Sequence, residues 1–358
     1  MPRHLLIATK DNTVKTRLLR RTLIALALLA TAAPAMAATQ LTGAGSTFDY
    51  PFFSKAFYDY SAKHGDVQVN YQSIGSGGGI QQFTQRTVDF GATDVPMNAN
   101  ELKAAEAGGG TVLQVPVALG GESIVYNVPD VASGLHLTPQ VIAEIYLGKI
   151  ANWNDPAIGK LNPKVKLPNL PIVVVHRSDG SGTTYIFSDF LSHVSADWKS
   201  KVGTGKSVSW PAPSAVGGKG NEGVAGQVGN NPGAIGYVEL AYALENKMAQ
   251  ASLQNKAGKW IDDAPGGVRA AAAARPEVSP TDFSIVDTSC AACWPIAGYS
   301  WVVVYQSPQD KARGKVLQQI LQWIVGPDGQ KIAGGLNYVP LPENVQSLAQ
   351  KTLAQMHV

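Results

Sequence analysis

Three times along this 358-residue chain a short β-type run ends in a small, hydroxylated, glycine-containing turn that opens into a helical pattern. The turns are Gly43-Ala44-Gly45-Ser46-Thr47-Phe48, Gly75-Ser76-Gly77-Gly78-Gly79 and Asp179-Gly180-Ser181-Gly182-Thr183. A strand–turn–helix unit used repeatedly commits a chain to layered α/β structure. The surrounding pattern agrees: strands are expected at 40–43, 67–74, 88–92, 123–127, 172–176 and 299–305, and helices at 51–64, 78–86, 182–191, 221–228 and 313–325. Together they predict an α/β sandwich with mixed, mostly parallel sheets, whose last strand and helix return to the first domain. The Ala-, Gly- and Pro-rich stretch 251–295 offers no clear periodicity, and no internal repeat is present.

The N-terminus belongs to a different physical class. Lys15, Arg17, Arg20 and Arg21 precede an apolar run over 23–30 that ends in Ala35-Met36-Ala37. This is the pattern of a signal peptide over 1–37, cleaved after Ala37, and the run is too short for the roughly 20 residues of a spanning helix. No Cys stands directly after the cleavage point, so a freely diffusing periplasmic protein is expected; the Arg20-Arg21 pair is a weak twin-arginine signal. Six of the 29 Lys and Arg and one of the 26 Asp and Glu fall in this segment, leaving 23 basic and 25 acidic residues, net −2. The basic balance therefore lies in the targeting segment, and nucleic-acid binding loses its electrostatic basis. A mature chain of this length exceeds what one core usually serves, and two domains with a cleft between them are expected. The two cysteines, Cys290 and Cys293, are read as a small local disulfide in an oxidising compartment, because no second Cys or His pair stands nearby at metal-ligand spacing.

Each turn is a potential anion site. The first N–H groups of a helix lack intrahelical partners, the helix dipole favours negative charge, glycine allows close approach, and Ser or Thr adds a hydroxyl. One such turn is usually just a cap; three whose helix starts converge would hold an oxyanion with neutral dipoles. Arg177, immediately before the third turn, offers a planar fork to two anion oxygens, and Asp179 can orient it. Asp94, closing the run Val88-Asp89-Phe90-Gly91-Ala92-Thr93-Asp94, is a carboxylate where an anion site should avoid one. It makes chemical sense if the ligand brings a proton, since a P–OH can donate to it and a fully ionised sulfate cannot.

Catalytic patterns fail. Neither Ser76 nor Ser181 has the Gly at both −2 and +2 of a nucleophile elbow, Gly205-Lys206-Ser207 lacks the first Gly of a P-loop, and the six His show no metalloprotease spacing. His176 neighbours Arg177, but strand alternation sends it to the opposite face. No catalytic residues, cofactor or metal are expected.

With these residues the chain resembles the phosphate-binding proteins of phosphate-specific ABC transporters, the PstS type. Further matching runs are Asn70-Tyr71-Gln72-Ser73-Ile74, Ile145-Tyr146-Leu147-Gly148-Lys149-Ile150, Gly217-Gly218-Lys219-Gly220-Asn221, Pro232-Gly233-Ala234-Ile235-Gly236-Tyr237-Val238-Glu239 and Trp294-Pro295-Ile296. The likeness spans nearly the whole mature chain. It implies a two-lobed, hinge-closing periplasmic binding fold of type II, with lobe I over 38–122 and 296–358 and lobe II over 123–295. It also implies phosphate held by Thr47, the backbone of Phe48, Ser76, Asp94, Arg177, Ser181, Gly182 and Thr183. Inorganic phosphate and the permease of an ABC transporter are the implied partners of a monomeric binding unit. Gly77 stands where some relatives have a second Ser, and the Cys290/Cys293 pair is a further departure. Another tetrahedral oxyanion, such as sulfate or molybdate, is the alternative ligand, and a secreted phosphate-ester hydrolase is the alternative class.

Overall fold

The computed structural model describes Met1 and residues 38–358, and Thr39–Val358 forms one body. The expected signal peptide over 1–37, apart from Met1, lies outside the described residues. Along the chain run β1 (Thr39–Gly45), α1 (Tyr50–Lys63), β2 (Val67–Ser73), α2 (Ser76–Thr84), β3 (Phe90–Thr93), α3 (Ala99–Gly109), β4 (Val112–Asn127), β5 (Leu135–Leu137), α4 (Pro139–Tyr146) and α5 (Pro156–Leu161). Then come β6 (Val173–Arg177), α6 (Gly182–Val194), α7 (Ala196–Lys201), β7 (Val216–Gly218), α8 (Gly220–Asn230), β8 (Ala234–Glu239), α9 (Leu240–Glu245), β9 (Ala249–Gln254) and β10 (Trp260–Ile261). The chain closes with α10 (Pro265–Ala274), β11 (Ala297–Tyr305), α11 (Lys311–Ile324), α12 (Pro327–Gly335) and α13 (Glu343–Leu353). Among the described residues no helix is long and apolar enough to cross a membrane.

The strands pair in the order β2-β1-β3-β11-β4-β8-β6-β7, with β9 branching from β4 and carrying β5 and β10. β1 is parallel to β2 and β3, and β6 is parallel to β7 and β8, as strand–helix–strand units require. The expectation of mostly parallel strands is corrected at the centre, where β11 runs antiparallel to β3 and β4, and β4 antiparallel to β8 and β9. The reason is connectivity: β11 arrives from far along the chain, and β4 continues from one half into the other without a crossover helix.

That strand, β4, is 16 residues long, of which the sequence pattern had suggested only 123–127. Pro116 and the pair Gly120-Gly121 read as breakers, yet every residue except Gln114 and Asn127 is buried. Helices and strands cover both faces, so packing overrides propensity. Its first part, to Gly121, pairs with β11, and from Glu122 onward it pairs with β8. At Pro116, which has no N–H to give a ladder, the register slips against Ser300 and Trp301. A continuous apolar core runs through both halves, and two smaller clusters fill the outer faces. One is built on Ile80, Phe83 and Val303, the other on Val175, Val224 and Val228.

The stretch 251–295 contains β10, α10 and the Cys290–Cys293 disulfide, whose Cα atoms are 5.2 Å apart. Asn255 Nδ2 lies within hydrogen-bond reach of the carbonyls of Cys290, Ala291 and Cys293 at 3.1–3.2 Å, so this loop has a second clasp.

Candidate functional site

The first turn is fixed from behind by three tyrosines. Tyr71 Oη donates to the carbonyl of Ser46 (2.7 Å), Tyr242 Oη to that of Thr47 (2.6 Å) and Tyr338 Oη to that of Phe48 (2.5 Å). In a planar trans peptide the carbonyl and the next N–H point opposite ways. Tying back successive carbonyls therefore turns the N–H groups of Thr47 and Phe48 forward, in the arrangement that binds anions. Phe48 itself is fully buried and packs edge-on against Tyr338.

The second turn opens α2 two residues earlier than the expected 78, placing Ser76 in the first helical turn. Its hydroxyl oxygen accepts from Gly182 N (3.0 Å) and Asp94 N (3.3 Å), leaving its proton to point toward Asp94 Oδ2 at 3.5 Å. The third turn opens α6, whose cap is Ser181: its Oγ accepts from Thr184 N at 3.0 Å. Gly182 has no alternative, since a Cβ there would lie 2.5 Å from Asp94 Cβ. Gly77 N donates to Gly180 O across 2.8 Å, so the second and third turns meet directly.

Arg177 ends β6 and is 4 % exposed. Its Nε and Nη2 donate to the two Asp179 oxygens at 2.8 and 2.5 Å, and Nη1 donates to Thr183 Oγ1 at 3.2 Å. A guanidinium has two forks; Asp179 occupies one and leaves the Nη1/Nη2 edge facing the turns. Burial alone would raise the Asp179 carboxyl, but the Arg177 hydrogen bonds and charge outweigh it and hold it below its ordinary value. Gly220 N gives Asp179 a further donor at 3.0 Å. His176 is turned away as alternation required: it stacks on Trp210, ring centroids 4.9 Å apart.

Asn221, at the end of the run Gly217–Asn221, joins the turns: Nδ2 donates to Thr47 Oγ1 (2.8 Å) and Thr183 Oγ1 (3.3 Å). Its own Oδ1 is held by Glu239 N at 2.9 Å. Because Thr47 and Thr183 accept through lone pairs, both keep a hydroxyl proton to give. The site thus offers two free hydroxyl donors, Thr47 and Thr183, a third in Ser76 once its proton turns from the long 3.5 Å contact with Asp94 Oδ2, forward-facing N–H groups and one guanidinium edge.

Asp94, 2 % exposed, is the acceptor among them. Its Oδ1 receives the Ser46 hydroxyl and that of Ser300 (2.8 Å), which leaves Oδ2 on the side of Ser76. Burial raises its pKa, opposed by the Ser46 and Ser300 hydrogen bonds and the Arg177 charge. All eight expected residues, with Asp179, are therefore brought together. Ser46, Asn221 and Ser300 were missed as participants; Ser46 lay inside a recognised turn, but Ser300 sits mid-strand and carries no local signal.

Comparison with known proteins adds the lineage. Residues 30–325 match the family model described as the PBP superfamily domain. The chain is 47 % identical over 309 residues to the phosphate-binding protein PstS of Xylella fastidiosa (strain 9a5c), covering 86 % of this chain and 82 % of that one. It is 43 % identical over 343 residues to PstS of Pasteurella multocida (strain Pm70), covering 94 % and 95 %. In fold it is similar to the high-affinity periplasmic phosphate-binding protein PfluDING, solved with bound phosphate, at a TM-score of 0.70 and 19 % identity over 87 % of this chain and 93 % of that one.

Proposed function

Since the chain belongs to the PstS family of phosphate-binding proteins within the PBP superfamily, we propose that it captures inorganic phosphate between its lobes and delivers it to the permease of an ABC transporter. The observation that supports this reading is a hydrogen-bonded donor set with one acceptor: Asn221 joins the Thr47 and Thr183 hydroxyls, Arg177 reaches Thr183, and Ser76 joins Gly182 to Asp94 Oδ2. A partly protonated oxyanion satisfies every member of this set, whereas a fully ionised one leaves Asp94 without a donor. Thr47, the Phe48 N–H, Ser76, Ser181, Gly182 and Thr183 would give neutral donors, and Arg177, oriented by Asp179, the only full positive charge. In a site closed to water such fixed dipoles act strongly without reorganising.

Lobe I would comprise 38–122 and 296–358, and lobe II 123–295. The change of partner along β4, from β11 at Gly121 to β8 at Glu122, supports a crossing there. Nothing in the donor set supplies an activated nucleophile, which supports binding without turnover. The protein would work in the periplasm as a monomer, with its leader removed after Ala37 and without nucleic acid. Calorimetric titration of phosphate-stripped protein with phosphate, arsenate and sulfate tests the reading, with solution scattering for closure. One phosphate per chain, arsenate competing, sulfate ignored and a smaller radius on binding are expected; sulfate binding as well as phosphate would overturn it.

A further inference from the structure

Asp49 occupies the N-cap position of α1, where an aspartate normally accepts from the first helical N–H groups. It makes no such bond. The residue has helical dihedrals (φ −81°, ψ −11°), is completely buried, and turns its carboxyl into the protein toward the middle of β11. There Oδ2 lies 2.5 Å from Ser300 Oγ, while Oδ1 has no hydrogen-bond partner among the described residues. Ser300 Oγ lies in turn 2.8 Å from Asp94 Oδ1.

A serine hydroxyl has one proton, and here two carboxyl oxygens stand within hydrogen-bond distance of it. Both contacts are favourable only if one carboxyl carries a proton and donates it to the Ser300 lone pair. Asp94 is the ionised partner: its Oδ1 also receives the Ser46 hydroxyl, and the Arg177 charge faces it. Among the described residues Asp49 has neither a cation nor a second donor, and its Ser46 contact runs through its own N–H at 3.2 Å. We propose that Asp49 is a positioning residue that holds a proton, donates it to Ser300, and thereby commits the Ser300 proton to Asp94, so that only Oδ2 of Asp94 is left for the ligand. Ser300 stands at the register slip of β11 against β4.

Burial and the charge of Asp94 push the Asp49 carboxyl upward, in the direction of the protonated form that the geometry requires. When Asp49 does ionise, Ser300 must be shared, Asp94 loses a donor, and a second negative charge stands behind the site. The other titratable groups facing Asp49 are Tyr71 on β2, Glu239 at the end of β8 and Tyr338 beyond α12, with Tyr242 of α9 facing Tyr71. The tyrosines are pushed upward by burial and stay neutral, and Glu239 is likewise pushed upward by burial.

The inference uses the reading of Asp94 as the ligand's acceptor, so its test has a part that needs no ligand. Infrared difference spectra of wild type minus Asp49→Asn near neutral pH should show the carbonyl stretch of a protonated carboxyl; a carboxylate band in its place overturns the proposal whatever the protein binds. Calorimetric phosphate titrations from about pH 6 to about pH 9.5 then read the consequence. The affinity of Asp49→Asn relative to wild type should rise about tenfold or more toward the alkaline end, the value of one hydrogen bond to a charged acceptor. Ser300→Ala, which cuts the link, should bind about tenfold or more weakly across the range and lose the part of the alkaline fall that runs through the shared hydroxyl, keeping only the smaller part due to the Asp49 charge. Parallel profiles for wild type and Asp49→Asn would leave Asp49 a structural residue, and wild type that ignores phosphate would remove the binding reading as well.

Discussion

Exchanging Asp94 for asparagine separates the proton-sharing account of selectivity from a structural one. The Ser46 and Ser300 hydroxyls both converge on Oδ1, so the amide oxygen takes that position and the NH2 group takes the place of Oδ2, on the side of Ser76. In wild type a fully ionised sulfate would press an oxygen against the Oδ2 lone pairs, leaving a buried charged acceptor unpaired at roughly 1–3 kcal/mol. The amide removes that penalty and adds a donor to an anion, worth a further ~1.5–3 kcal/mol. Sulfate affinity should rise by about 2.5–6 kcal/mol, or roughly two to four powers of ten. Phosphate exchanges one bond for another, because it can present either its hydroxyl or a bare oxygen, and should change far less. Competition calorimetry with both anions near neutral pH reads the ratio directly. An unchanged phosphate-to-sulfate ratio in Asp94→Asn would refute the reasoning and leave Asp94 a buried structural carboxylate.

Arg177→Lys keeps a charge but cannot serve Asp179 and the ligand with two forks; phosphate affinity should drop at least tenfold by calorimetry, and further in Arg177→Ala. Wild-type affinity in Arg177→Ala would place the site elsewhere. Burial pushes the Asp263 carboxyl to about 7, with only the Ser123 hydroxyl opposing, from an ordinary 3.8. A raised carboxyl stabilises the fold below its unfolded value and loses that contribution as pH rises through the folded one, at about 1.4 kcal/mol per pH unit. Asp263→Asn should therefore gain melting temperature relative to wild type between about pH 4 and about pH 8, by at most roughly 4 kcal/mol; a pH-independent difference would contradict the assignment. Replacing Cys290 and Cys293 by Ser should leave phosphate affinity intact, since Asn255 still grips the loop carbonyls, and thiol titration of wild type should find no free Cys. Loss of affinity would give the disulfide a role in the site.

The local parts of this protein were legible in its sequence because their physics is local. A helix start with glycine and a hydroxyl needs only neighbouring residues to become an anion cradle, so the turns at 45–48, 75–79 and 179–183 and the Arg177–Asp179 pair could be read directly. Alternation over a few residues likewise sufficed to send His176 away from Arg177. The long strand β4 could not be read, because Pro116 and Gly120-Gly121 speak against a strand until both faces are covered by distant elements. Nor could the environment of Asp94: Asp49 and Ser300 lie 45 and 206 positions from it in the chain, and although Asp49 directly follows the first turn, nothing local says that it meets Asp94 through Ser300. Which hydroxyls keep a proton to donate, which carboxyl oxygen stays free and which carboxyl holds a proton depend on single hydrogen bonds between such residues. Those bonds exist only once β11 has returned beside β3 and β4, so the donor count of the site is a property of the tertiary structure alone.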